Sequence, residues 1–430
     1  MSDNSENTPP KGPIGGKSLA VIASAIAIEG YDLSIYALFA VSIAHAFFEQ
    51  GNSATALLLA VGTLGVGYVM RPLGGVLLGL YADKVGRKAA IAIVVLAMSA
   101  STGLIGLVPS YAVLGIAAPL LIVLLRLVQG FFSGGAAAGS ISYLVESAPP
   151  GRRAFYSSWQ QASQVAAFLL SALIGAGIAA AFTDEEMNAW AWRIPFILAL
   201  LFGPLGLYIK RSMPEAESYR KVAAKPDELA KKTDWRAATR QVLIGAGITC
   251  LWNVTAFILL YFMPTYVQTS FDLTMGQAFR ASCVGAAVLF VLCPFVGMLA
   301  DRIGKKPVMI AAALGLAVFV YPLLAFFAED PSEGRLIAVQ AVLAVLIAGY
   351  TAPVSAMLAQ LFPVRRRTTS LAVAYNLSTL IVGGFGPLIV TSLIVETGDL
   401  MAPAWYVIAG AMISLVALLL APRTAEEPAR

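Results

Sequence analysis

Gly79-Leu80-Tyr81-Ala82-Asp83-Lys84-Val85-Gly86-Arg87-Lys88 returns, 218 positions later, as Gly297-Met298-Leu299-Ala300-Asp301-Arg302-Ile303-Gly304-Lys305-Lys306. Each copy is a short charged stretch set between long apolar runs. The 430-residue chain is therefore read as two related halves. A second echo strengthens the repeat. Glu146 to Arg153 closes one apolar run with the pair Arg152/Arg153, and Gln360 to Arg367 closes its counterpart with Arg365/Arg366/Arg367.

Composition says what solvent the halves meet. The chain is 59% hydrophobic and 12% charged, with a mean hydropathy of +0.79; a soluble domain carries about 25% charged residues. So much apolar surface cannot be hidden inside a soluble protein of this length, and lipid is the expected solvent. The net charge of +5 does not point to nucleic acid, because the basic residues fall in loops between apolar runs. The three cysteines, Cys250, Cys283 and Cys293, form neither a disulfide framework nor a CxxC metal pattern, and one histidine, His45, gives no histidine-based metal site. No metal or cofactor is expected. GxxxxGK[ST] is absent, so ATP drive is not indicated.

A membrane-spanning helix needs about 20 apolar residues. Runs of this kind lie at 18–43, 55–81, 89–108, 119–146, 157–182 and 192–209, and again at 237–264, 275–299, 308–328, 335–360, 368–395 and 402–420. The expected architecture is all-α and integral to the membrane, with twelve transmembrane helices in two pseudo-symmetric six-helix bundles. The bundles cover 18–209 and 237–420. A cytoplasmic central loop (210–236) joins them, and polar tails, 1–17 and 421–430, flank them. The 1–17 tail reads as disordered, and the first apolar run is too long for a cleaved signal peptide.

Charge sets the orientation. Lys84/Arg87/Lys88, Arg152/Arg153, Arg302/Lys305/Lys306, Arg365/Arg366/Arg367 and the basic central stretch lie on one side. Glu49, Asp184/Glu185/Glu186, Asp272, Glu329/Asp330/Glu333 and Glu396/Asp399 lie on the other. Positive loops stay inside, so both termini are expected in the cytoplasm.

Ionisable groups within spans are costly and mark function by default. Glu29 and Asp32, three apart in span 1, share a helix face. Two carboxylates in a dry site suit reversible proton uptake; the alternative is a fixed ion pair or a solvated lining. Arg126, deep in span 4, is the natural partner for Asp32, and its planar fork suits a carboxylate cargo. Arg71 in span 2 either faces the cavity mouth or ties span 2 to span 11. Arg280, early in span 8, is either a second anion contact or an exposed loop residue.

Neutral polar residues extend the candidate lining. Tyr31 and Tyr36 flank Asp32, Gln129 follows Arg126 by three, and Gln160 and Gln164 form a polar stripe in span 5. Asn253, Tyr375 and Asn376 are the candidates of the second half. Amides facing lipid would be left unpaired, so these should meet water, cargo or another helix. Asp83, Arg87, Lys88, Asp301 and Lys305 are assigned with Arg71 to gating. The repeat's aspartate can pair across the cytoplasmic gap or cap a neighbouring helix terminus.

Twelve spans, a long central loop and G-x-x-x-D-x-x-G-R-K after span 2 resemble the major facilitator superfamily. Glu29-Gly30-Tyr31-Asp32, Arg71-Pro72-Leu73-Gly74-Gly75, Arg126-Leu127-Val128-Gln129-Gly130-Phe131 and Trp192-Arg193-Ile194-Pro195-Phe196 resemble its metabolite:proton symporter group. Ser158-Trp159-Gln160-Gln161-Ala162-Ser163-Gln164 and Ala374-Tyr375-Asn376-Leu377-Ser378 are similar to the citrate and tricarballylate proton symporters.

The resemblance implies proton-coupled uptake of a small organic anion by alternating access, a tricarboxylate or dicarboxylate such as citrate or tricarballylate. The carrier would sit in a bacterial-type cytoplasmic membrane, and one chain could be complete as a monomer. One departure is Ala136, which stands where the group carries an acid. Losing that acid leaves the cavity more positive, which favours a multiply charged cargo. The alternatives are a zwitterion of the proline/betaine type, an aromatic or shikimate-like acid, or a membrane sensor that binds without transporting.

Overall fold

In the computed structural model, the described backbone covers residues 16–48, 53–85, 87–134, 141, 144–145, 148–149, 151–204, 235–362 and 367–422. The first fifteen residues, the central stretch 205–234, Ala136 and the side chains of Asp83, Arg87 and Lys88 lie outside the described set.

The chain is helical throughout these residues. The first half consists of α1 (Gly16–Leu38, resumed as Ala40–Phe47), α2 (Ser53–Val69 and Arg71–Val85), α3 (Arg87–Leu107), α4 (Ala117–Ser133), α5 (Arg153–Ala181) and α6 (Arg193–Leu198 and Ala199–Phe202). The second half consists of α7 (Trp235–Val254, Thr255–Phe262 and Met263–Phe271), α8 (Met275–Ile303), α9 (Lys305–Glu329), α10 (Glu333–Leu361), α11 (Arg367–Ser378, Thr379–Gly384 and Gly386–Thr397) and α12 (Ala402–Leu420). Among the described residues, eight helices are long and apolar enough to cross a membrane, and the bent α1 makes nine. Shorter apolar helices at Ala92–Leu107, Ala117–Ser133 and Arg193–Phe202 fill the remaining expected positions. Large apolar side chains such as Val113, Leu120, Leu201, Val318 and Leu419 point outward, as a lipid-facing surface requires.

Two helices depart from the expected boundaries. α1 bends by 64° at Phe39. No proline or glycine stands there. The Phe39 ring packs against Phe196 of α6 and Phe279 of α8, and the ladder continues around it from Phe39 N to Ile35 O and from Ile43 N to Phe39 O. α7 does not stop at 264 but runs on to Phe271. Pro264 follows a π-helical segment at Thr255–Phe262, and Pro387 of α11 follows another at Thr379–Gly384. A wider turn upstream of a proline accommodates its missing N–H, so the helix continues. Pro353 lies buried inside a continuous α10.

Within the first bundle, α2 and α4 touch backbone to backbone. A Cβ added at Gly130 would overlap the Gly67 carbonyl, one at Gly74 the Phe131 carbonyl, and one at Gly134 the Arg71 carbonyl. Lipid gives little hydrophobic drive to helix association, so close van der Waals contact of this kind holds the pair. The two halves meet along α5 with α8 and α10, α2 with α11, and α1 with α7. Gly175 receives the Phe279 ring across the first of these seams, and Gly65 receives Phe385 across the second.

Candidate functional site: a buried charge cluster between the bundles

α1 sits close against α5, where a Cβ on Gly30 would lie 3.1 Å from that of Ala167. This seat presents Glu29, Asp32 and Tyr36, on one stripe, to the helices α2, α3 and α4. Asp32 Oδ1 accepts from Gln129 Nε2 at 2.5 Å and from the Thr102 hydroxyl, while Oδ2 stands 3.6 Å from Arg126 Nη1. Arg126 Nη1 also donates to Gln129 Oε1 at 2.8 Å. Its guanidinium lies 3.5 Å from the Tyr36 ring centroid, and the Tyr36 hydroxyl meets Thr63 of α2. Four helices thus converge on one ion pair.

Arg126 is used on one side only. Its side chain is 6% exposed, yet Nε and Nη2 make no hydrogen bond. Those two nitrogens form the edge of the fork that grips a carboxylate bidentately. Arg280 shows the same edge in use, since its Nε and Nη2 hold Glu333 at 2.7 and 2.8 Å.

A second pair lies one turn away. Arg71 Nη2 donates to Glu29 Oε1 at 2.8 Å, and the guanidinium stands 4.3 Å from the Tyr68 ring centroid. Tyr375 of α11 lies within hydrogen-bonding reach of Arg71, so this pair reaches the second bundle. Glu29, Asp32, Arg71 and Arg126 all line one cavity, together with Tyr68, Gln129 and Ser133. Its volume is about 30 Å³, room for a water or two but not for an organic acid.

All residues that line this cavity belong to the first bundle, and the candidates of the second half lie outside the lining. Asn253 donates to Ser378 Oγ at 3.1 Å and accepts from Thr379 at 3.0 Å. Trp252 donates to Gln161 of α5 at 2.7 Å and stacks near Tyr375. Asn376 reaches the Gly134 carbonyl at 3.5 Å.

The structure thus gathers Glu29, Asp32, Tyr36, Arg71, Arg126, Gln129 and Tyr375, and pairs Arg71 with Glu29 and Arg126 with Asp32. It does not bring Arg280 or Tyr31 to the cavity. Arg280 is half exposed at the start of α8, where Glu333 of α10 is within its reach and water solvates both. Tyr31 turns toward α6, its hydroxyl donating to the Pro195 carbonyl at 2.8 Å and its ring packing on Phe202. Gln160 is buried with both amide atoms unpartnered, and Gln164 is half-buried where α5 meets Gly30. Asn253 and Asn376 hold helices of the second bundle together and to the first.

Of the gating candidates, Asp301 caps α5, its two carboxylate oxygens accepting from Ala154 N and Phe155 N at 2.8 Å each. A carboxylate at a helix N-terminus meets both open N–H donors and the positive end of the helix dipole. Lys305 is half-buried at the start of α9. Thr102 and Thr63 escaped the sequence reading. Both are hydroxyls in apolar spans, and Thr102 ends the polar group Ser99, Ser101, Thr102, which is the signal that could have found them. Tyr68, one turn before Arg71, carries the same kind of signal.

This architecture defines a multi-pass membrane carrier of two six-helix halves with a buried polar site in the first of them. The sequence profile of the Major Facilitator Superfamily matches residues 22–295 and 281–430, and the chain belongs to that family. It is therefore a carrier rather than an enzyme. It is 32% identical over 396 residues to a citrate-proton symporter of Salmonella typhi, covering 91% of this chain and 90% of that one. It is also 31% identical over 429 residues to a proline/betaine transporter of Salmonella typhimurium, covering 96% of this chain and 84% of that one. The fold matches the proton:xylose symporter XylE with a TM-score of 0.76 at 18% identity, over 95% of this chain and 97% of that one. The inward-open conformation of XylE from E. coli matches with a TM-score of 0.75 over 96% and 98% of the two chains.

Proposed function

We propose that this carrier imports a small organic anion together with protons, and that the anion is a dicarboxylate or tricarboxylate such as citrate or tricarballylate. The observation that carries the reading is the open Nε–Nη2 edge of buried Arg126 beside Asp32. In the compact state Asp32, Gln129 and Thr102 hold Nη1 and the acid. Protonation of Asp32 removes its charge and leaves the guanidinium to a cargo carboxylate, which docks on the open edge. The cavity quartet is neutral, with two arginines against two acids. A bare anion entering it would add an uncompensated charge to a dry site, which is strongly disfavoured, so anion and proton enter together. Similarity to citrate-proton symporters supports this cargo class.

A second reading has one specific observation in its favour. Tyr68, Phe257 and Tyr261 form a chain of edge-on rings beside the cavity. The cationic end of a zwitterion could rest on such faces while its carboxylate took Arg126, and proline/betaine transporters are also relatives.

Under either reading the protein sits in a bacterial-type cytoplasmic membrane with both termini inside, as the basic loops require. One chain supplies both walls of the cavity and works as a monomer. Asp301, by capping α5 from α8, fastens the end of the molecule that carries the basic loops; Asp83, Arg87 and Lys88 act in the first copy of the motif, with Arg71 and Lys305 as further contacts.

The test is accumulation in liposomes under an imposed pH gradient, with citrate, tricarballylate, succinate, proline and glycine betaine supplied separately. Uptake of a polycarboxylate that collapses with a protonophore is the expected result. Uptake of proline or betaine alone would establish the second reading, and binding without accumulation would defeat both.

A further inference from the structure

Two guanidiniums line one cavity, and they differ in how they are held. Arg126 keeps a bidentate edge open, whereas Arg71 is engaged by Glu29 at 2.8 Å, stands over Tyr68 and lies close to Tyr375. The two acids that neutralise them sit three residues apart on α1, with Cβ atoms about 5–6 Å apart. That separation is comparable to the span between the outer carboxylates of a short polycarboxylate.

We infer that Arg71 is a second anion anchor and that Glu29 is its exchangeable counter-ion, so that the cargo carries at least two carboxylates. This inference rests on the organic-anion symport proposed above. The first carboxylate docks on the open edge of Arg126. The second takes the place of Glu29 at Arg71 once Glu29 accepts a proton. Each protein carboxylate displaced is replaced by a cargo carboxylate, and each displacement takes up one proton, so the two arginines stay balanced by two carboxylates throughout, and a third cargo carboxylate stays outside this pairing. The order of events follows from the geometry, since one anchor is open beforehand and the other must be vacated.

The surroundings of Glu29 fit an exchange site rather than an isolated structural pair. Arg71 donates to it from α2 at 2.8 Å and Tyr68 lines the same cavity, with Asp32 on α1 itself and Arg126 across the cavity; Tyr261 of α7 and Tyr375 of α11 are its further titratable neighbours. The Tyr68 phenol can donate to an incoming carboxylate or accept from a protonated Glu29. A zwitterion, with one carboxylate, cannot satisfy both arginines.

The experiment is calorimetric titration of the full-length purified carrier with tricarballylate, glutarate and butyrate. It is run at a pH where these acids are fully ionised and in buffers of different ionisation enthalpy, so that proton uptake is read directly. Wild type should bind the better polycarboxylate at least ten-fold more tightly than butyrate, taking up about two protons against about one. In R71Q the ten-fold preference for the polycarboxylate over butyrate should collapse, and R71K should recover part of it. E29Q should bind the polycarboxylate with one proton fewer. The wild-type proton count decides the matter even if E29Q or R71Q fails to fold. One proton per polycarboxylate, or an R71Q protein that keeps its preference over butyrate while transporting slowly, overturns this inference and leaves the symport reading standing. No binding of any of the three acids overturns both.

Discussion

The two bundles bury different chemistry. Among the described residues, every buried charged side chain belongs to the first bundle: Glu29, Asp32, Arg71 and Arg126. The second bundle buries neutral polar groups instead, Asn253, Ser378, Thr379, Trp252 and Tyr375 among them. The repeat is symmetric in its helices and asymmetric in its charges. Charge buried in a membrane protein is expensive and must be paired within reach, so it is concentrated where four helices converge. The other half contributes neutral hydrogen bonds that can form and break cheaply as the bundles part.

The contrast can be broken most decisively at Arg126. Replacing it by glutamine leaves Asp32 without its cation and removes the docking edge. Truncating one member of a buried, hydrogen-bonded charge pair costs about 2–5 kcal/mol, so binding of the cargo should fall by about 30-fold or more, measured by calorimetry or counterflow. Asp32→Asn should have its effect on coupling instead. Accumulation driven by a pH gradient should vanish while exchange of cargo down its own gradient persists. Full proton-driven uptake by this variant would remove Asp32 from the mechanism.

A smaller effect tests the frame that carries the charges. Gly130→Ala places a methyl on the Gly67 carbonyl, and overpacking of this kind costs about 1–3 kcal/mol. The melting temperature should drop, and the same change at Gly334, which has open space around its Cα, should leave it unmoved. Equal melting of the two variants would show that α2 and α4 are not held by backbone contact.

Smaller effects are expected where the second bundle takes part. Asp301→Ala removes a cap whose loss costs about 0.5–2 kcal/mol. The rate of transport should change more than the binding constant. Asn253→Ala deletes three neutral hydrogen bonds, each worth about 1 kcal/mol, and should weaken cargo binding several-fold without altering proton coupling. A loss of coupling there would overturn the division of labour between the halves. The least effect belongs to Arg280→Ala. Its pair with Glu333 is exposed, and such pairs contribute about 0–1 kcal/mol, so uptake should stay within two-fold of wild type.

The sequence carried the helices and the importance of the span charges, because an apolar run and an ionisable residue inside it are properties of one stretch of chain. It did not carry the bend at Phe39, which depends on two aromatic rings from α6 and α8. Nor did it carry the extension of α7, because Pro264 stops a helix or not according to whether a wide turn forms before it. Arg71 remained open between the cavity mouth and α11, and the structure shows it lining the cavity while lying close to Tyr375. Arg280 stood open between a second anion contact and an exposed loop residue, and its neighbour on α10 shows it paired at the surface. Thr102 was invisible as a partner of Asp32 because a hydroxyl in an apolar helix can equally bond its own backbone, as this one also does at Met98.

By itself, then, the amino-acid sequence determined a membrane protein of two repeated halves and the four span charges, Glu29, Asp32, Arg71 and Arg126, that the fold buries around one cavity. These follow from composition and spacing, which the bilayer constrains locally and strictly. Only the tertiary structure decided which acid meets which arginine, and that one guanidinium edge is left open. Those choices depend on the rotation and depth of each helix against its neighbours. That geometry is set by contacts such as Gly130 on Gly67 and Gly30 on α5, between residues far apart in the chain.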